Sequence, residues 1–549
     1  MTRAYEWKIR AKAPDKKSPK WLLEILAKNR GLDTKKKLNE FLNPTLEIIL
    51  NVKLSQIEKG RQRIVTAIKK NQNIAIYCDY DADGLCAAAI MWETLHDLGA
   101  KVMPYVPHRI TEGYGLSKQG ILKLKKEQNI DLIITVDQGV TAVEQVRYAK
   151  ELGIDIVITD HHVLPKNQPQ PTALVHSTEL CGAGVSWRLA WEIVESQKPS
   201  YKDQLLEKLE LAALATVADL VPLIGANRAI VKLGLEQIAK TKRPGIKALI
   251  RASNITWPVT THEIGHIIAP RINAMGRIEH GLDSLRLLCA RSQNKADSLA
   301  QILSKTNTRR QDLTTKAINH ARSLVEEEVL IGVVQHDTWH EGVIGLVASR
   351  LVESFYRPMI VISRGKKFSK GSARSIPGFN IIEAIRASSQ YLVDAGGHPM
   401  AAGFTIETQH IEVFKDSINK YARKIITEEI LARRLEIECE LETDDINMEN
   451  LKTAEIFEPF GVANPQPLFM TKNMTVKDVR GVGPESIHLK LYIDSINAIG
   501  FHLGEFRSQI RPGYKIDLVY TIAEDRYAAN GTIQLKVKDL RINHLGNHS

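Results

Sequence analysis

From Asn73 onward, short apolar runs alternate with amphipathic ones: NIAIYC, GLCAAAIMWETLHDLG, KVMPYVP, LSKQGILKLKKEQ, DLIITV, AVEQVRYAKELG, DIVIT. Apolar runs of this length read as buried strands and the intervening segments as helices. Strict alternation between them predicts a parallel, doubly wound α/β sheet. In such sheets ligands bind beyond the carboxyl ends of the strands, so polar residues there carry more weight than polar residues elsewhere. Three strand ends carry acids. NIAIYC runs into Asp79, Asp81 and Asp83; DLIITV ends in Asp137; DIVIT ends in Asp160, His161 and His162. A single Asp after a strand is ordinarily a turn or helix cap. Five carboxylates and two imidazoles on one sheet edge need another explanation, because like charges so close repel unless cations neutralise them. Carboxylate and imidazole together suit Mn2+ or Mg2+ in a two-metal site. Asp219, at the end of the helical run LAALATVADLVPL, could complete it.

The rest of the chain divides by pattern. Residues 1–50 read as a basic arm followed by short helices, with Trp21, Leu22, Ile25 and Leu26 spaced for packing. Residues 51–283 hold the acidic sheet. A charged helix from about Ser284 to Glu328 leads into a second α/β block over 329–427, punctuated by the Gly-rich runs GSARS and GGHPMAAGF. From 428 to 549 short alternating strands such as IDLVYTI and IQLKVKDLRI suggest a small β-barrel. Lys plus Arg number 74 against 63 Asp plus Glu, a net charge of +11, which points to a polyanionic partner. Within residues 1–40 the count is 12 against 5, so 7 of the 11 charges lie on the arm, as a solvated tail or a nucleic-acid contact. Five cysteines without a CxxC pair argue for a reducing compartment and against a zinc ribbon. No uncharged apolar run reaches the roughly 18 residues of a membrane span, and the amino terminus has no signal-peptide core, so a cytoplasmic location without membrane contact is expected.

The motifs DYDADG, VDQG, DHH and GGHPMAAGF, in this order and at these separations, resemble the DHH phosphoesterase superfamily. Within it the chain is similar to the single-strand-specific 5′ to 3′ DNA exonucleases. The likeness extends through HRITEGYGL (108–116), PRINAMGR (270–277), HEGVIGLVASRL (340–351), GSARS and the carboxyl-terminal section. The resemblance implies a DHH phosphoesterase domain, a smaller DHH-associated domain joined to it by a long helix, and an OB-like barrel. It implies hydrolysis of single-stranded DNA to mononucleotides in repair and recombination, with two Mn2+ or Mg2+ ions. Asp81, Asp137 and Asp79 would hold one ion. Asp83, Asp137, His161 and Asp219 would hold the other, and His162 would orient its neighbours or contact phosphate. Arg109, Arg277, Ser372, Arg374 and His398 would bind the terminal phosphate. Single-strand-binding protein and a helicase are the implied protein partners.

Three readings stay open on the residues alone: the exonuclease, a phosphoesterase acting on polyphosphate or very short oligonucleotides, and a non-catalytic replication scaffold. On the barrel, Phe469, Lys472, Tyr492, Phe501, Arg507 and Tyr520 are candidate strand contacts, with about half of the aromatics expected in the core. Trp187, Trp191 and Trp257 are expected in the core. On the connecting helix, Asn307, Arg309 and Arg310 are either a solvated face or strand contacts.

Overall fold

The computed structural model describes residues 5–109, 112–113, 115–326, 329–525 and 532–543. Ile110, Thr111 and Tyr114 of the HRITEGYGL segment therefore lie outside the described residues. The chain forms two compact units. One comprises Thr45–Val221 and Gly225–Leu431; the other comprises Arg3–Pro44, Pro222–Ile224 and Ala432–Ser549.

The first unit opens with the alternation read from the sequence. Its five-stranded sheet is wholly parallel, in the spatial order Lys101–Tyr105, Asn73–Cys78, Leu132–Val136, Asp155–Asp160, Ala173–His176. Ile74, Ile76, Ile133, Ile134, Val157 and Ile158 are fully buried, as strands covered on both faces by helices require. The last strand, ALVH, is too short and too mixed to stand out as an apolar run. Helices Ala82–Asp97, Gly182–Gln197 and Leu209–Ala218 pack together behind the sheet, and Leu209–Ala218 is apolar on nearly every side because it lies in the core.

Where a continuous helix was expected over 284–328, a short helix Leu282–Leu288 ends at Cys289, and a separate 32-residue helix runs from Gln293 to Leu324. The run CARS separates them. A second sheet follows in the same unit, in the order Leu392–His398, Ala401–Glu407, Phe368–Arg374, Met359–Ser363, Gly332–His336; only its last pair is parallel.

In the second unit, Phe469–Val482 pairs with both His488–Ile493 and Lys515–Glu524. With Ile496–Gly500 and Ile533–Asn543 this closes a five-stranded barrel. The amino-terminal segment is not a free arm. Glu6–Ala11 pairs in parallel with Arg434–Glu440, and helix Trp21–Asn29 buries Trp21, Leu22 and Leu26 against the barrel core. Arg30 forms a buried ion pair with Glu438 at 3.0 Å. Phe469 and Tyr520 are core, with Tyr520 hydrogen-bonded to Thr471, whereas Tyr492 and Phe501 are exposed. Lys472 pairs with Glu440 and Arg507 is exposed. Trp187 and Trp191 are core, but Trp257 is 39% exposed: it caps the turn before Thr261 by donating to Glu263 instead of filling the core. No helix among the described residues is long and apolar enough to cross a membrane.

Candidate metal centre and phosphate seats

Each acid is held by the element that carries it. Asp79 follows strand Asn73–Cys78 and accepts a hydrogen bond from the Tyr80 amide at 2.7 Å. Asp81 caps helix Ala82–Asp97 by accepting from Gly84 N at 3.0 Å. Asp83, one turn in, is fixed by the start of another helix: Gly182 N and Ala183 N each donate to its carboxylate at 2.7 Å. Those amides favour the ionised form, as helix amino termini do. Asp137 has φ +62, a left-handed conformation unusual for a side chain larger than glycine, at the end of strand Leu132–Val136. A Cβ on Gly182 would fall 2.5 Å from the Asp137 Cβ, so the close approach of that helix to Asp137 requires glycine.

Three groups of ligand atoms result: Asp79, Asp81 and Asp137; Asp83, His161 and Asp219; and Asp137, His161 and His162, the atoms in each within 4.8 Å of one another. His161 Nε2 lies 3.2 Å from Asp137 Oδ1, 3.7 Å from Asp219 and 3.8 Å from Asp83. Asp137 Oδ1 is buried and accepts no hydrogen bond. A buried carboxylate oxygen left so costs several kcal/mol unless a cation takes it. Burial, then repulsion from neighbouring carboxylates, raises the pKa of Asp83 to about 6 and of Asp219 to about 8, and drives Asp79 and Asp137 well above the ordinary range. Burial lowers His161 to about 4, leaving a neutral imidazole. This donor set, acid-rich, buried and unneutralised, with a neutral imidazole among it, fits hard divalent ions.

His162 differs from His161. Burial opposes its charge, but the 2.7 Å hydrogen bond from Nδ1 to Asp160 outweighs this and raises its pKa to about 9. Asp160, which ends strand Asp155–Asp160, has a structural role that its position in the sequence does not reveal. It is fully buried and accepts from Val140 N, His161 N, His162 N and the His162 ring, so it locks the DHH turn. Asn273, inside PRINAMGR, accepts from Ala82 N at 2.7 Å and fixes the start of the Asp81–Asp83 turn. The acid at a strand end and the motif around Asn273 were visible signals; Gly182 offered only a small residue at a helix start.

The predicted phosphate-binding residues form a second group. Arg374 and His398 both face Ala401 across neighbouring strands, and Ser372 is two residues from Arg374 on the same strand. The His398 ring stacks on His162, centroids 5.7 Å apart and planes at 15°. Arg277 is partly buried, with a 3.4 Å contact to the Gly342 carbonyl. Burial and the charges of Arg109 and Arg374 push its pKa down to about 10. Arg109 lies over the Tyr80 ring at 5.3 Å. Among the described residues none of Arg109, Arg277 and Arg374 forms an ion pair; Arg374 bonds only Ala373 O and Ser372 Oγ.

A parallel sheet with a carboxylate and histidine cluster on its carboxyl edge, followed by a smaller α/β domain bearing arginines and a histidine toward that cluster, defines a DHH phosphoesterase. Family models match the DHH family N-terminal domain at residues 73–217, the DHHA1 domain at 326–424 and the RecJ OB domain at 437–539. The chain is 36% identical over 541 residues to the single-stranded-DNA-specific exonuclease RecJ of Bacillus subtilis, an alignment covering 95% of this chain and 68% of that protein. It is 30% identical over 511 residues to the RecJ of Thermus thermophilus, covering 91% and 73%. The crystal structure of Thermus thermophilus RecJ in complex with Mn2+ superposes with a TM-score of 0.84 at 28% identity, over 98% of this chain and 80% of that one. The chain belongs to the RecJ family.

Proposed function

We propose that this chain is a metal-dependent exonuclease that degrades single-stranded DNA from its 5′ end to mononucleotides, in DNA repair and recombination. The observation that carries the reading is the buried Asp137 Oδ1, which accepts no hydrogen bond at the meeting point of two ligand groups. Asp79, Asp81 and Asp137 would hold one ion; Asp83, Asp137, His161 and Asp219 would hold the other. When bound, two Mn2+ or Mg2+ ions would activate a water and neutralise charge on the scissile phosphate and the leaving oxygen.

The protein's own groups do the rest. Asp160 keeps His162 protonated and oriented, so that it can donate to a phosphate oxygen or to the departing alkoxide. Arg109, Arg277, Ser372, Arg374 and His398 would seat the 5′-terminal phosphate. Guanidinium groups without carboxylate partners are suited to a phosphate that arrives with the substrate. End recognition at this seat would set polarity, which hydrolysis at the metal centre alone does not.

The closed barrel supports a single-strand platform with Tyr492, Phe501 and Arg507 available on its surface. It also disfavours polyphosphate as the substrate, which would leave the barrel without a task. A scaffold would not need the full ligand set. Single-strand-binding protein and a helicase are the partners we infer from the resemblance. The five free cysteines support a cytoplasmic location. The test is incubation with end-labelled single strands, blunt duplex and polyphosphate in Mn2+ or Mg2+. Hydrolysis confined to single strands is expected; preference for polyphosphate would overturn the reading.

A further inference from the structure

Helix Ala269–Ile278 lies along the first half of helix Gln293–Leu324, and two arginines of these helices have no place in the site described above. Arg271 donates to the Ile267 carbonyl at 2.6 Å and reaches Ser304 Oγ at 3.4 Å. Arg310 donates to Asn307, whose side chain is buried. Both guanidinium groups are partly buried and neither forms an ion pair among the described residues. This is not general for the region: neighbouring Arg309 pairs with Glu279 at 2.8 Å, and Arg350 with Glu353.

The two charges also oppose one another. Burial lowers the pKa of Arg271, and burial followed by repulsion from Arg271 and Arg350 lowers that of Arg310. Two desolvated like charges are costly in the free protein, and an anion between them would recover that cost. The segment before Arg271 points the same way. Ile264–Ile268 is a π-helical turn, a rare geometry found mostly at functional sites, and it presents the Ile267 carbonyl that anchors Arg271.

We propose that Arg271 and Arg310, with Ser304 and Asn307, form a second phosphate seat that takes an internucleotide phosphate of the strand being degraded. The seat rests on the reading of single-stranded nucleic acid as substrate. Its Arg271 stands off from the terminal seat, six residues from Arg277 on one helix and about 9 Å along its axis. That exceeds the roughly 3.4 Å rise of a stacked nucleotide, so these two arginines address different phosphates. Arg310, by contrast, is near enough for its charge to lower the Arg277 pKa. A planar guanidinium with free donors is the group of choice for such a contact.

The test uses the full chain and three forms: wild type, Arg271→Gln/Arg310→Gln, and Arg271→Lys/Arg310→Lys. Binding to a fluorescent 20-nucleotide oligothymidylate is measured in EDTA over a range of salt, with 5′-phosphate and 5′-hydroxyl ends. Single strands give a slope of about −0.7 per phosphate contact, and this seat takes one phosphate, so the glutamine pair should flatten log Kd against log salt by about 0.7. The loss should be equal on both ends, and the lysine pair should keep the slope. An unchanged slope in the glutamine pair overturns the seat. So does a loss restricted to 5′-phosphorylated strands, which would make these arginines part of the terminal seat, or a lysine pair as defective as the glutamine pair, which would make their role structural. Should the glutamine pair not fold, Arg310→Gln alone is read the same way, with an expected change in the same direction of at most about 0.7. A wild type that binds the strand without salt dependence would instead refute the proposed function.

Discussion

At the residue scale, the site is a set of carboxylates that cannot all ionise without help. Two carboxylates about 5 Å apart repel by about 3 kcal/mol at an effective dielectric of about 20. Burial first, and this repulsion added to it, raise the pKa of Asp83 to about 6 and that of Asp219 to about 8 in the metal-free protein. Their folded pKa values lie above the unfolded ones. The stability they contribute is therefore fully present below about pH 4 and is lost as pH rises from there through the folded values of about 6 and 8. Metal binding must displace those protons, so affinity should rise between pH 6 and 8 and level off above. Calorimetry at pH 7 in two buffers of different ionisation enthalpy should show release of about one proton or more per protein on Mn2+ binding. Asp219→Asn should reduce that release, and binding without proton release would contradict the assignment. Of this set, Asp79, Asp81, Asp83 and Asp137 were legible as candidates because acids at strand ends are a pattern of adjacency, and Asp219 because it ends an apolar helical run. The sequence did not show the Asp160 lock as such, since its partners are backbone amides whose positions depend on the turn being formed.

At the element scale, two features make separate predictions. Glu93 on helix Ala82–Asp97 accepts from Lys208 and Arg243, and Arg243 also reaches Glu210, so one charged knot ties three segments together. Burial alone would raise the Glu93 pKa, but Arg243 and Lys208 outweigh it and bring it to about 2. A depressed carboxyl pKa contributes stability above its unfolded value, lost as pH falls through the folded value. Glu93 should therefore contribute about 3 kcal/mol at neutral pH, lost between about pH 4.5 and 2. Glu93→Gln should lower the unfolding midpoint in urea at pH 7 and lose that difference toward pH 2; an equal deficit at both would contradict it. The second feature is strand Phe368–Arg374, which places Arg374 beside Ala401 and His398. Arg374→Ala should lower kcat/KM roughly 10- to 150-fold on 5′-phosphorylated strands, the value of one charged hydrogen bond of about 1.5–3 kcal/mol. It should cost less on 5′-hydroxyl strands; an equal loss would move Arg374 to the scissile phosphate. The alternation of strand and helix was legible because both strand faces are buried. The end of helix Leu282–Leu288 and the fate of the amino-terminal segment were not. Helical periodicity continues across the break at Cys289, and the partner of strand Glu6–Ala11 lies more than 400 residues away.

At the scale of the whole molecule, the barrel unit is assembled from both ends of the chain. Trp21, Leu22 and Leu26 pack with Leu451, Phe457 and Leu518 in one core. A chain cut after Leu431 would therefore expose that helix, while one spanning 45–431 would not. The first should aggregate and bind hydrophobic dyes, and the second should unfold cooperatively and cleave short strands with weakened hold on long ones. Equal behaviour of the two would contradict the shared core. The central claim, hydrolysis from the 5′ end at a centre organised around Asp137, is tested most directly by a time course on one single strand. The strand carries a label at its 5′ end in one reaction and at its 3′ end in another, with wild type and Asp137→Ala in Mn2+. The 5′ label should appear at once as a mononucleotide, while the 3′ label passes through a ladder of shortening strands. Asp137→Ala should remain folded and lose several kcal/mol of transition-state stabilisation, about 10³-fold or more in kcat. Mononucleotides released first from the 3′ end, or wild-type rates in Asp137→Ala, would contradict the account.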